Sequence, residues 1–327
     1  MVSQLVPETL PRDLQPIVDA HHHYWDLSLR RHPWLDGVNL VPHRYGDYRA
    51  ICKSFMPNDY DRAAGHHRIV GNVYMEAEWD PADPTGETRW VHGLRALTGR
   101  PHAMIAQARL DADDAGEVLA AQAGFPLVRG VRHKPKSFAS AAEWTSSHRL
   151  PGSMMCPKFR QGYVQLASNN LHFELQTPHW HLPDAVDLAA SFPETLIVIN
   201  HTGLPTERDR DGIAAWRRSM EKIAGQPNVR LKISGIGVPG TDWTASSQRE
   251  VVLAAIKIFG VDRCMFASNY PVDGLLRSLE GIFDDFLKIT ADFSRQDRDS
   301  LFRRNALELY RLDLPTNQKD KWEETIS

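Results

Sequence analysis

Short apolar runs recur along this chain, and most are followed by a longer stretch in which apolar residues return every three or four positions. The runs are PIVDAHHHY at 16–24, RIVGNVYMEA at 68–77, AMIAQARL at 103–110, PLVRGVRH at 126–133, LHFELQ at 171–176, TLIVINH at 195–201, NVRLKIS at 228–234 and RCMFAS at 263–268. Their length and branched apolar content predict buried strands. The intervening GETRWVHGLRAL, DDAGEVLAAQAG, PDAVDLAASF, DGIAAWRRSMEKIAG and QREVVLAAIKIFG read as helices, and several close on glycine, as a helix C-terminus does. Such units along one chain predict an α/β fold, a (β/α)8 TIM barrel, over residues 17–311. Residues 1–16 read as an N-terminal arm and 312–327 as a polar C-terminal tail. Residues 25–67, with Trp34, His43 and Tyr45, hold no clear strand. Long ordered loops usually carry function, so this insertion after the first strand is expected to be a lid over the barrel mouth.

Polar residues gather where the runs end. The first run ends in His21, His22 and His23, the second in Glu76 and then Glu78. The fourth ends in Arg132, His133 and Lys134, the sixth in Asn200 and His201, the seventh in Lys232 and Ser234, the eighth in Ser268 and Asn269. In a barrel all these strand ends open on one face, where active sites lie. Strand alternation gives His21 and His23 one direction and His22 the other. The first two are therefore the expected inward pair, able to grip a metal ion or a substrate oxygen, and His22 is expected to pack between barrel and helices.

Composition narrows the partners. The chain has 327 residues and a net charge of −3, so no basic field argues for nucleic acid. No apolar run is long enough to span a bilayer, and the first residues lack the apolar core of a secretory signal. Cys52, Cys156 and Cys264 are odd in number and far apart, which argues against a disulfide framework or a thiolate metal site. A cytoplasmic protein acting on a small molecule is expected, with oligomeric state left open.

The motifs Asp19-Ala20-His21-His22-His23, His32-Pro33-Trp34-Leu35, Gly130-Val131-Arg132-His133, Asn200-His201-Thr202-Gly203-Leu204-Pro205 and Arg263-Cys264-Met265-Phe266-Ala267-Ser268-Asn269-Tyr270-Pro271-Val272 stand in this order. Together they resemble the amidohydrolase-2 family of the amidohydrolase superfamily, from about residue 17 to 311. That family includes 2-pyrone-4,6-dicarboxylate lactonase, fuconolactonase-like and sulfomuconolactonase-like enzymes. The resemblance implies a distorted TIM barrel and hydrolysis of a lactone, ester or similar carbonyl, although some branches are decarboxylases or hydratases. It places His21, His23 and His201 around the reacting carbonyl. It also gives Arg132 the task of holding a substrate carboxylate, which suits a guanidinium fork. Lys134 and Trp25 complete the expected substrate contacts. An ion pair with Glu76 or Glu78 is the alternative for Arg132.

One position departs from the family. Where it usually reads Ser-Asp-Trp-Pro, with the aspartate as base or metal ligand, this chain has Asn269 in SNYPVD. An amide can orient water but cannot accept a proton near neutral pH. Glu76, His201 and Asp273 are the replacement candidates, and Asp273 could instead cap a helix beginning near Leu275. The leading reading is a hydrolase of a small carboxylated lactone or ester, with Asn269 positioning water. A metal-dependent decarboxylase or other lyase, and a decayed barrel that only binds ligand, are the alternatives. The missing carboxylate favours a site that requires no tightly held metal. Zinc or another divalent ion on His21, His23 and His201 is the alternative, and His172, His179 and His181 form a second possible cluster.

Overall fold

The computed structural model describes residues 14–146 and 148–314, so most of the expected N-terminal arm and C-terminal tail lie outside the described residues. The eight apolar runs form the strands β1 (Ile17–His22), β2 (Ile69–Met75), β3 (Ala103–Gln107), β4 (Val128–Arg132), β5 (His172–Leu175), β6 (Ile197–Ile199), β7 (Val229–Ile233) and β8 (Cys264–Phe266). They pair in parallel and in sequence order from β1 to β8. Each strand is followed by a connection that returns along the outside, as parallel pairing requires. This is the expected TIM barrel.

Polar groups close the seam between β8 and β1. Ser268 donates through its N–H (2.9 Å) and its hydroxyl (2.6 Å) to the carboxylate of Asp19. Past the strand ends Asn269 N–H donates to His21 O (2.8 Å) and His23 N–H to Tyr270 O (2.8 Å). The DxHxH motif thus carries a structural aspartate beside its histidines.

One cluster of apolar side chains fills the lower part of the barrel. Val18, Ala20, Val73, Met75, Ile105 and Met265 pack inside, and Tyr310, Leu312 and Leu314 plug the N-terminal end. A β-carbon at Gly71 would lie 3.2–3.3 Å from Leu312, Leu314 and Val18, so that glycine makes room for the returning chain. The packed chain continues to Leu314, past the boundary expected at 311. Above the plug the interior turns polar. Lys232 Nζ sits 2.9 Å from Glu174, which also accepts from Tyr310 OH (2.8 Å). Burial opposes the charge of Glu174, but Lys232 and His172 prevail and hold its carboxyl down at about 2.

Residues 25–67 cross the C-terminal mouth with three 3-10 turns and the short helix Pro57–Ala63. The insertion is fastened at several points. Trp25 pairs through its backbone with Phe55, and its indole N–H donates to Lys53 O (2.7 Å). Trp34 Nε1 donates to Ala77 O (2.8 Å) at the end of β2. Among the described residues no helix is long and apolar enough to cross a membrane.

Candidate active site

The orientation of the histidines depends on an irregularity in β1. Asp19 pairs with Asn72 and His22 with Tyr74, so β1 spends one more residue than β2 over this interval. That is a β-bulge, and it reverses the inside–outside alternation. Val18 and Ala20 point inward below it. Above it His22 turns outward against Tyr24, Tyr60 and Tyr74, with ring centroids 4.5, 4.8 and 6.1 Å away. His21 and His23 face the barrel mouth, 5.1 Å apart, and the His201 ring lies 4.6 Å from His21. Three imidazoles from β1 and the end of β6 therefore share one place.

His201 reaches it from a left-handed turn, with φ of 52° at His201, 57° at Thr202 and 53° at Leu204. Such angles are unusual for residues with side chains and need support from their surroundings. Trp216 Nε1 donates to Thr202 O (2.8 Å), and His201 Nδ1 lies 3.1 Å from Ser234 Oγ. Asn269 has φ 51° as well. His23 Nδ1 faces Met75 O at 2.9 Å, so that nitrogen carries the proton and Nε2 keeps its lone pair. Burial pushes the pKa of all three rings well down. Neighbouring groups add to this, His201 and then Lys232 on His21, Arg132 on His23 and Arg44 on His201. The cluster is neutral near pH 7.

Asn269 bridges two parts of the site. Its Nδ2 donates to Asp273 Oδ1 (2.7 Å), and its side chain also meets the His23 ring. Asp273 is wholly buried and accepts from Tyr45 OH (2.8 Å), Gly235 N–H (3.0 Å) and Arg44 Nη2 (3.4 Å). Burial raises its pKa against the pull of Arg44. The proposed helix-capping role does not hold. Residues Val272–Leu275 form a 3-10 turn, and the next helix, Leu279–Ile289, is capped by Ser278. Replacing Asn269 by aspartate sets two carboxylates side by side, and one of them must stay protonated above its usual range. A raised carboxyl pKa removes stability as pH climbs from the unfolded value. Asn269→Asp is therefore expected to match the wild type near about pH 4 and to lose roughly 2–3 kcal/mol near pH 8. Thermal unfolding across that pH range measures it, and a pH-independent difference would place the two side chains apart.

The charged residues expected to bind substrate already have partners. Arg132 Nε is ion-paired with Glu76 Oε1, and its Nη2 donates to Glu76 O (2.6 Å). The other Glu76 oxygen accepts from Glu78 N–H (2.8 Å). Burial works against the Glu76 charge, but Arg132 and Lys134 keep its pKa below the usual value. Neither oxygen is left as a free base. Lys134 pairs with Glu78. Thus the ion-pair alternative for Arg132 is the arrangement formed. A cavity of about 790 Å³ opens beside these pairs, lined by Trp34, Trp79, Glu76, Glu78, Arg132 and Lys134 among others. His21, His23, His201 and Asn269 do not line it and are 0, 4, 3 and 2% exposed. Trp25 does not line it either; its indole is buried and stacks on His23 at 6.1 Å.

The expected second histidine cluster separates. His172 turns inward to Glu174 (3.2 Å), and His181 Nδ1 bonds Asp184 (2.7 Å). His179 is buried with both ring nitrogens unpartnered. Among the described residues, donors of three His, Asp or Glu side chains lie within 4.8 Å of one another at His66–His67–Asp284 and at His148–His181–Asp184. In the latter, Phe138 N–H donates to His181 Nε2 (2.8 Å), so Nδ1 holds a proton where an ion would sit. In the former, His67 Nε2 donates to Glu280 O (2.9 Å). The mouth histidines suit a zinc-type ion by donor type. Both His21 nitrogens are buried without a partner, His23 Nε2 keeps a lone pair, and neutral imidazole is the ligating form.

Arg44 and Tyr45, the partners of Asp273, form the part of the site with the weakest sequence signal. Tyr45 stood out only as an aromatic residue in the insertion, and nothing local marks Arg44 as a neighbour of β7.

A family model described as amidohydrolase matches residues 18–312. The uncharacterized protein y4mH of Sinorhizobium fredii is 37% identical over 297 residues, covering 90% of this chain and 98% of that protein. An L-fucono-1,5-lactonase of Burkholderia ambifaria is 25% identical over 320 residues, covering 92% of this chain and 98% of that enzyme. Among solved structures, an amidohydrolase from Burkholderia multivorans with bound zinc has a TM-score of 0.73 at 22% identity, covering 91% of this chain and 99% of that one.

Proposed function

We infer the activity from the premise that this chain belongs to the amidohydrolase family: it hydrolyses a small lactone. The observation that carries the reading is the cluster of three neutral imidazoles, His21, His23 and His201, brought together at strand ends beside the Asn269 amide. Water adds its oxygen to the lactone carbonyl carbon, the bond to the ring oxygen breaks, and that oxygen leaves with a proton. Neutral imidazoles at this point can hold the carbonyl oxygen or accept the proton of water. Asn269, fixed by Asp273, orients the water. A zinc-type ion held by His21, His23 and His201 would polarise the carbonyl.

The cavity favours a hydroxylated lactone over a carboxylated one. Arg132 and Lys134 are each neutralised by a carboxylate and Arg109 stands 3.7 Å from Asp111, so apart from Lys136 at its edge the wall offers paired donors and acceptors. Hydroxyl groups match such pairs, and Trp34 and Trp79 supply apolar faces for a sugar-like ring. The relatedness to an L-fucono-1,5-lactonase points the same way. Acid release from a panel of sugar lactones and carboxylated lactones, with and without chelator and added zinc, tests the proposal. Turnover of sugar lactones at least about tenfold above carboxylated ones is expected, since one lost ionic contact is worth that much or more. Turnover of carboxylated lactones alone sinks the substrate class. Asn269 favours one second reading, ligand binding without turnover, which the same panel reveals as saturable binding with no product.

A further inference from the structure

We propose that Asp273 is the catch on which the insertion closes over the histidines, and that Arg44 and Tyr45 are the positioning residues that engage it. Tyr45 OH donates to Asp273 Oδ1 (2.8 Å), and Arg44 reaches the same oxygen (3.4 Å) while its Nη1 donates to Gly235 O (2.9 Å). Gly235 N–H holds the other carboxylate oxygen (3.0 Å) and Asn269 Nδ2 the first (2.7 Å). One carboxylate thus ties the insertion, the β7 end and the β8 end together. Arg44 lies directly over the site. A β-carbon at Gly235 would stand 2.6 Å from His201 and 2.7 Å from Arg44 Nη2, and φ there is +58°. Only glycine lets the insertion's guanidinium settle beside the imidazole.

The closed arrangement shuts substrate out. The histidines are buried, and the large cavity is bounded by Arg132 and Glu76 without reaching them. The catch is also built to release. Arg44 is the one cation paired with Asp273 among the described residues, and its side chain is 21% exposed. When it swings out, water reaches the guanidinium, and Asp273 keeps the neutral donors Asn269 and Gly235. Opening thus breaks the three side-chain contacts of Arg44 and Tyr45 and leaves the barrel intact, which keeps its free energy below that of unfolding.

What passes the gate rests on the lactonase reading, but the gate itself can be measured without substrate. Amide hydrogen exchange is followed in peptides covering residues 38–48 and in peptides covering β6 to β8. Arg44→Met and Asp273→Asn are each expected to speed exchange at 38–48 at least about tenfold, a shift of about 1.4 kcal/mol in the opening equilibrium. Tyr45→Phe should do so to a smaller extent, and Arg44→Lys should fall between the wild type and Arg44→Met, because the charge remains while the fork that spans Asp273 and Gly235 O is lost. Strand exchange should not change. Unchanged exchange at 38–48 in both leading variants overturns the proposal, as does equal acceleration in the strands, which reports general loosening. A protein that passes this test yet turns over no lactone keeps its gate and loses only the assigned substrate.

Discussion

His21→Ala and His23→Ala should each lower lactone turnover at least about a hundredfold, while His22→Leu stays within about threefold of the wild type; a hundredfold corresponds to about 2.7 kcal/mol of transition-state stabilisation. The contrast follows from direction, since all three imidazoles are buried and have depressed pKa values. His21 is central to the cluster, in ring contact with both His23 and His201. His22 lies on the far side of the strand among Tyr24, Tyr60 and Tyr74. Leucine is chosen there because it keeps bulk in an aromatic pocket, whereas alanine would leave a cavity costing roughly 2–4 kcal/mol of stability. Steady-state kinetics on folded variants is the measurement. Loss of turnover in His22→Leu, with His21→Ala active, would mean that the bulge in β1 is misplaced and the strand faces the other way.

Arg132→Met should destabilise the protein by roughly 3–5 kcal/mol, because it leaves Glu76 as an uncompensated charge in a buried site. The guanidinium makes two contacts to that residue, one to its carboxylate and one to its backbone oxygen. Removing both charges is far milder. The double variant Arg132→Met/Glu76→Gln should recover most of the loss, since an apolar side chain beside a neutral amide is tolerated where a lone carboxylate is not. Urea unfolding of the four members of the cycle measures the coupling. A carboxylate-binding arginine held apart from Glu76 predicts otherwise: Arg132→Met would then be stable, would raise KM for carboxylated lactones alone, and the two substitutions would add. That result would restore the role which the sequence resemblance implied.

The large-scale fold could be read from local pattern. Each strand announced itself as a short apolar run, and helices such as Arg210–Ala224 as longer periodic ones, because burial on both faces of a parallel strand and one face of a helix leaves different spacings. The candidate site was legible to the same depth. Residues at strand ends converge in any barrel, so His21, His23, His201, Asn269, Glu76 and Arg132 could be listed without coordinates.

What the local pattern could not carry was pairing. Strict alternation from Val18 and Ala20 would point His22 inward, and the extra residue of β1, set by its register with β2, is what turns His21 and His23 to the mouth instead. A bulge is a relation between two strands and leaves no mark in the sequence of one. The partners of charged groups were hidden for the same reason. Arg132 and Glu76 are 56 residues apart, Arg44 and Gly235 are 191 apart, and Tyr45 and Asp273 are 228 apart. Composition and spacing determined that this chain is a barrel with imidazoles at its mouth. Only the closed tertiary structure decided which cations are already neutralised, which carboxylate holds the insertion, and how a bulge brings the expected histidine pair to the mouth, because Coulomb and hydrogen-bond energies depend on distances that chain order does not specify.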